Sequence, residues 1–124
     1  MKIAIVEDNP DNRLLVRALL HARYDLAEYE SGGAALTGFQ EQVPDLVLLD
    51  ISLPGMDGSE VLRRIRADER LRHVPVVALT AHAMAGDREQ FLRRGFDDYV
   101  PKPITDIEAF QHTIAMLLQP RPRE

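Results

Sequence analysis

The stretch DLVLLDISLPGMDG, residues 45–58, decides the fold. Its four consecutive apolar residues, Leu46 to Leu49, suit a strand covered on both faces, as in a parallel sheet flanked by helices. The run ends in Asp50, and a turn containing Pro54 and Gly55 follows. A carboxylate at the tip of a buried strand is costly to charge unless something pairs with it. The rest of the chain must therefore supply both a cover for this strand and a reason for that acid.

Four further runs have strand character: KIAIV (2–6), DLAEYE (25–30, alternating), VPVVALT (74–80) and DDYV (97–100). Segments of helical period lie between them. Leu14, Leu15, Ala18, Leu19 and Ala22 repeat at helical spacing behind Asn9 and Pro10, which suit an N-cap and a first turn. A second helix follows Ser31 and carries Leu36 and Phe39. The third begins at DGSE, where Asp57 and Glu60 have capping-box spacing, and is expected to bury Val61, Leu62 and Ile65. The fourth, about residues 84–94, offers only Met84, Phe91 and Leu92 as large apolar residues before Gly95 closes it, so it should be among the less firmly held elements. The last begins at TDIE, with Thr105 and Glu108 at capping-box spacing, and presents Ile107, Phe110, Ile114, Leu117 and Leu118 on one stripe.

Strand then helix, five times over, predicts an α/β fold: a single doubly wound (βα)5, flavodoxin-like domain. Right-handed crossovers leave few topologies, and the strand order expected at this length is 2-1-3-4-5. The chain reverses direction between strands 1 and 3, and ligands in such folds gather outside the carboxyl ends of the strands at that reversal.

Composition sets the outer limits. A chain of 124 residues that is 45% hydrophobic supports one core, expected over residues 1–119, with residues 120–124 as a flexible tail. Twenty acidic residues against 15 basic ones give −5, which disfavours direct contact with nucleic acid or an anionic membrane surface. There is no cysteine, hence neither a disulfide framework nor thiolate chemistry. The apolar runs fall far short of the roughly 20 residues that span a bilayer. The N-terminal MKIAIVED reaches acidic residues too early for a signal peptide, so a cytoplasmic location is expected. The densest basic run, RRIRADERLRH (63–73), contains Asp68 and Glu69 and is read as a solvated helix end.

Strand 1 ends in Glu7 and Asp8, and strand 3 ends in Asp50, so the topology gathers three carboxylates at the reversal point. Two unit charges about 4 Å apart repel by roughly 4 kcal/mol at an effective dielectric near 20. Three acids in one pocket call for a cation or for protons. Carboxylate oxygens with no thiolate and no histidine pair favour Mg²⁺, or Mn²⁺, over zinc. Helix capping explains Asp8 or Asn9 singly, but it does not call for acids at the ends of both strands. Two more strand ends reach the same rim: Thr80 brings a hydroxyl, and Lys102 stands just beyond strand 5 in PKP. A nucleophile, a divalent-cation site, a cationic clamp and a hydrogen-bond donor are what a phosphoryl group requires.

On the motifs VEDN (6–9), LLDISLPGMDG (48–58), ALTAHA (78–83) and DDYVPKPI (97–104), the sequence resembles the receiver domain of bacterial response regulators, over essentially its whole length. The resemblance implies that Asp50 is the phosphoacceptor and that Glu7 and Asp8 support Mg²⁺ together with Asp50 and the backbone carbonyl of Ser52. It implies that Thr80 is the switch hydroxyl, Tyr99 the switch aromatic and Lys102 the essential lysine, with a cis Lys102–Pro103 bond. It further implies that Ser52 and His82 tune dephosphorylation. The partners it implies are a histidine kinase or a histidine phosphotransfer protein upstream and a protein target downstream. With no output segment in view, the expected function is that of a stand-alone, self-dephosphorylating receiver, a signalling protein and not an enzyme. A receiver fragment of a hybrid kinase is the alternative. A Mg²⁺-dependent phosphatase with an aspartate nucleophile fits less well, because the haloacid dehalogenase type places a second aspartate where this chain has Ser52. A phosphorylation-independent interaction module fits less well too, since degenerate receivers commonly lose one of the acids, the hydroxyl or the lysine.

Overall fold

Residues 46–50, LVLLD, form a strand buried at every position, and so do residues 76–80, VVALT. Strands with no wet face need helices on both sides. The computed structural model, which describes residues 1–81 and 87–119, supplies them. In chain order the elements are β1 (Lys2–Val6), α1 (Pro10–Leu20), β2 (Asp25–Tyr29), α2 (Gly32–Glu41), β3 (Leu46–Asp50), α3 (Gly58–Ala67), β4 (Val76–Thr80), α4 (Asp87–Arg94), β5 (Asp98–Pro101) and α5 (Ile107–Leu118). All strand pairs are parallel, in the order β2-β1-β3-β4-β5.

The alternation of side chains along the strands divides the core in two. On one face Ala4, Val6, Val47, Leu49, Val76 and Ala78 meet α2, α3 and α4 through Phe39, Val61, Ile65 and Phe91. On the other Ile3, Ile5, Leu46, Leu48, Val77 and Leu79 meet α1 and α5 through Val16, Leu20, Phe110 and Ile114. Burying each of the valine, leucine, isoleucine and phenylalanine side chains contributes about 1.5–3 kcal/mol.

The helix starts follow local chemistry. Asn9, Ser31 and Asp57 cap α1, α2 and α3 with side-chain oxygens, as their positions in the sequence indicate. The cap of α5 is Asp106, which accepts from the Ala109 amide, and not Thr105 one residue earlier. Within α5, Phe110 and Ile114 are buried and Ile107 is exposed. The inward face of α1 also differs from the apolar spacing: Val16 and Leu20 are buried, Leu19 packs beside them, and Leu14, Leu15, Ala18 and Ala22 are exposed. The row turned inward, Asn12–Val16–Leu20, includes a polar residue whose amide has a partner just past the end of β1.

Strand β4 starts at Val76 and not at residue 74, because Pro75 has no N–H and the Val74 carbonyl accepts from Arg66 Nη1 at 2.7 Å. In the basic run, Arg63, Arg64, Arg70 and Arg72 are exposed as expected. Arg66 is half-buried and acts as a clamp: its guanidinium donates to the carbonyls of Val74 and Gly95 and pairs with Asp97 Oδ2 at 2.9 Å. Helix α4 begins at Asp87, so Met84 of the expected helix lies outside the described residues. Its end has the geometry that glycine permits: Gly95 lies at φ +105°, and the Phe96 amide reaches back to the Phe91 carbonyl at 3.1 Å.

Candidate functional site

The carboxyl ends of β1 and β3 are neighbours, with Val6 opposite Leu49, so the residues that follow them share one rim. Glu7, Asp8 and Asp50 bring carboxylate oxygens within 4.8 Å of one another. Glu7 has no exposed surface and Asp50 is 3% exposed, whereas Asp8 faces solvent. Asp50 Oδ1 accepts from the Ser52 amide at 3.0 Å, which holds the carboxylate at the start of the β3–α3 loop. That loop folds back through a Gly58 N–H bond to the Ile51 carbonyl, 3.0 Å. A Cβ on Gly58 would lie 2.8 Å from the Asp50 carbonyl oxygen, so only glycine lets α3 start so close to the acid.

Lys102 comes from the far side of the rim. Its amide donates to the Thr80 carbonyl at 2.7 Å, joining the ends of β4 and β5, and the Lys102–Pro103 bond is cis. Its Nζ lies 3.0 Å from Glu7 Oε1 and 3.2 Å from Asp50 Oδ2. Thr80 is buried at the tip of β4, one strand over from Asp50. Tyr99 is half-buried on β5 and stacks on Phe91 of α4, with ring centroids 5.4 Å apart and planes 27° apart. The Ser52 side chain is exposed, and His82 lies outside the described residues.

The charges explain one another. Burial raises the Glu7 carboxyl to about 7, and a hydrogen bond shared with Asp50 adds to the effect, against the pull of Lys102. Burial acts to raise Asp50 as well, but it is outweighed by hydrogen bonds from Glu7 and the Ser52 amide and by the Lys102 charge, so Asp50 ends below its ordinary value. Burial pulls Lys102 down and its two acidic partners push it up further, so it stays an ammonium. Without an ion, the pair keeps a proton on Glu7 and the negative charge on Asp50.

Among the described residues no N–H donates to the buried Glu7 Oε2, while the carboxyl shares its proton with Asp50. With that proton gone, a bare buried carboxylate oxygen costs on the order of 1–3 kcal/mol or more. Three ionised acids and one ammonium sum to −2, the charge a divalent cation neutralises. The all-oxygen donor set suits Mg²⁺ or Mn²⁺. The residues therefore fit such an ion.

Two residues here went unread in the sequence. Asn12 Nδ2 donates to Glu7 Oε1 at 2.9 Å, and Arg13 Nη1 donates to the backbone carbonyls of Glu7 and Asp8 at 2.8 and 3.2 Å. The available signal was a polar residue one turn before Val16 in the row that α1 buries.

A model of the response regulator receiver domain matches residues 3–114. The chain belongs to that family. It is 44% identical over 117 residues to the polar-differentiation response regulator DivK of Brucella abortus (strain 2308), covering 94% of each chain. It is 43% identical over 114 residues to the sensor protein GacS of Pseudomonas syringae pv. syringae, covering 89% of this chain and 13% of GacS. Among solved structures, the receiver domain of the sensor histidine kinase PA1611 from Pseudomonas aeruginosa PAO1 superposes with a TM-score of 0.83 at 37% identity, covering 94% of this chain and 96% of that one. That structure is described with a magnesium ion coordinated in its active site cleft. The chain is thus a receiver of two-component signalling, similar both to a single-domain regulator and to kinase-borne receivers. No helix among the described residues is long and apolar enough to cross a membrane.

Proposed function

We propose that this receiver, over residues 1–119, takes a phosphoryl group onto Asp50 from a phosphohistidine of a kinase or phosphotransfer protein, works as a separate protein, and passes the signal on by a change of surface. The observation that carries the proposal is the lone ammonium of Lys102 bridging Glu7 and Asp50 beside a buried Glu7 oxygen that no N–H among the described residues reaches. Glu7, Asp8, Asp50 and the Ser52 carbonyl would hold Mg²⁺, which when bound supplies positive charge to the transferring phosphoryl oxygens.

The other parts of the step belong to the chain. The Asp50 carboxylate, ionised and fixed by the Ser52 amide, forms the new O–P bond. The P–N bond breaks and its electron pair returns to the donor imidazole, protonated beforehand at its other ring nitrogen. Lys102, already 3.2 Å from Asp50, is placed to follow the added oxygens. Thr80 donates its hydroxyl to the acyl phosphate, and Tyr99 leaves its stack on Phe91 as Thr80 is drawn toward Asp50. Ser52, exposed at the mouth of the site, and His82 set how readily water reaches and hydrolyses the acyl phosphate. The exposed Leu15 of α1, which lines a small pocket with Glu7 and Lys102, offers the donor protein an apolar foothold.

Acetyl phosphate and Mg²⁺ test the proposal by mass spectrometry. Wild type should gain one phosphoryl mass and Asp50→Asn none. No gain by wild type would sink the proposal, and equal gain by the variant would sink the assignment of Asp50. A second reading, a receiver segment of a hybrid kinase, draws on the likeness to GacS. A phosphotransfer profile against the kinases of the source organism separates the two, since a kinase-borne receiver should favour the kinase it belongs to.

A further inference from the structure

Asn12 is the third residue of α1, and the transfer outlined above makes no use of it. Its amide nitrogen and Lys102 Nζ both donate to the same oxygen, Glu7 Oε1, at 2.9 and 3.0 Å. Oε2 receives neither. A buried carboxylate able to turn about its last bond would settle with one donor on each oxygen, because a bare buried oxygen is the costlier arrangement. Both donors crowd onto Oε1 because both are fixed. Lys102 is held at the strand ends by its amide, which donates to the Thr80 carbonyl at 2.7 Å. Asn12 rides on a first turn that is anchored twice: Asn9 accepts from the Asp11 and Asn12 amides, and Arg13 grips the Glu7 and Asp8 carbonyls.

We infer that Asn12 is a positioning residue for the divalent ion: it holds Glu7 Oε1 toward Lys102 and so presents Oε2 as the ligand oxygen. Asn12 is not itself a ligand, because the group it turns to Glu7 is a donor. The same contact accounts for the inward face of α1, since the row that reaches Glu7 is the row that buries Val16 and Leu20. The inference rests on the Mg²⁺ reading of the site, and its test separates the two.

Calorimetric titration of the full chain with Mg²⁺ should show Asn12→Ala and Asn12→Leu binding about tenfold more weakly than wild type, as expected for loss of a group that orients a ligand. The leucine variant keeps the side-chain volume without the donor, and thermal unfolding in metal-free buffer verifies that each variant folds. In a Glu7→Gln background the further loss on removing Asn12 should vanish. At saturating Mg²⁺, labelling by acetyl phosphate should return to within a few fold of wild type, because Asn12 touches no reacting atom. If wild type binds Mg²⁺ and both folded variants bind it within twofold as well, the role given to Asn12 is wrong and the metal reading stands. If the saturated labelling rate falls with the affinity, Asn12 acts on the transfer itself and positioning is overturned. If wild type binds no Mg²⁺, the metal reading fails first.

Discussion

On the β1–β3 side of the rim, two buried carboxylates are held by Lys102, Asn12 and the Ser52 amide. On the β4–β5 side, α4 touches the core chiefly through Phe91, whose ring stacks on Tyr99, while Leu92 is 40% exposed. Just beyond the far end of α4, Arg66 grips the Gly95 carbonyl and Asp97, and near its start the exposed Arg88 pairs with Asp98 at 3.4 Å. Phosphoryl chemistry depends on groups fixed to a fraction of an ångström, and the acidic side has them. A switch needs an element whose alternative position costs little, and α4 is built that way. On the proposed function, the contrast would give chemistry to the fixed groups around Asp50, Lys102 included, and signalling to the more lightly held α4.

The sharpest way to break that division is to remove the acid while keeping the fold. Asp50→Asn should abolish phosphoryl incorporation while the variant still unfolds in a single cooperative thermal transition. Residual labelling at wild-type rate would move the chemistry elsewhere. Next in size is Lys102→Met, which removes the ammonium from both acids. Labelling by acetyl phosphate should slow by about 100-fold or more, the scale of losing one preorganised charge at a developing anion. A loss under threefold would leave the lysine a structural pair for Glu7 only.

A smaller effect tests the proton that stands in for the ion. With Glu7 raised to about 7 from 4.5, the metal-free folded chain binds more protons than the unfolded chain between those values. Stability from this group is therefore full below 4.5 and is lost as pH rises through about 7. Asp50 has the opposite sign, contributing above its ordinary value and losing that contribution as pH falls. Because Mg²⁺ must displace the Glu7 proton, its apparent affinity should be about tenfold weaker near pH 6 than near pH 8, with the proton release per ion falling from nearly one to nearly none across that range. A Kd that is flat across that range would show Glu7 already ionised before the ion arrives.

The same division explains which features could be read from sequence. β3 and its terminal Asp50 were legible because burial on both faces and the acid at the tip are written in adjacent residues. Strand order followed from the alternation of elements, and the rim followed from strand order. The inward face of α1 was not legible, since apolar residues surround that helix and the choice among them is made by Asn12 meeting Glu7, five positions earlier and just past the end of β1. Arg66 reads as one more exposed arginine until Gly95 and Asp97, far along the chain, fold against it. Thr105 and Asp106 are both competent caps, and the local sequence does not rank them. What escaped, in each case, is a polar contact whose partner only the folded geometry selects.

The smallest expected effect sharpens the comparison most. Phe91→Leu keeps an apolar group in the core and removes only the ring stacked on Tyr99 and set edge-on to Phe96. Such aromatic pairs contribute about 0.5–1.5 kcal/mol beyond their burial. Local opening of α4 should therefore become roughly 2- to 12-fold more frequent, read as faster amide hydrogen exchange over residues 91–96. The amide of Ile51, bonded to the Leu79 carbonyl beside Asp50, should exchange at its wild-type rate, and Mg²⁺ affinity should not change. Acceleration of Ile51 by the same factor would mean that the two halves open as one unit. Phosphorylation would then have to loosen the very site it modifies in order to move α4, and a division between a rigid chemical half and a mobile signalling half could not hold.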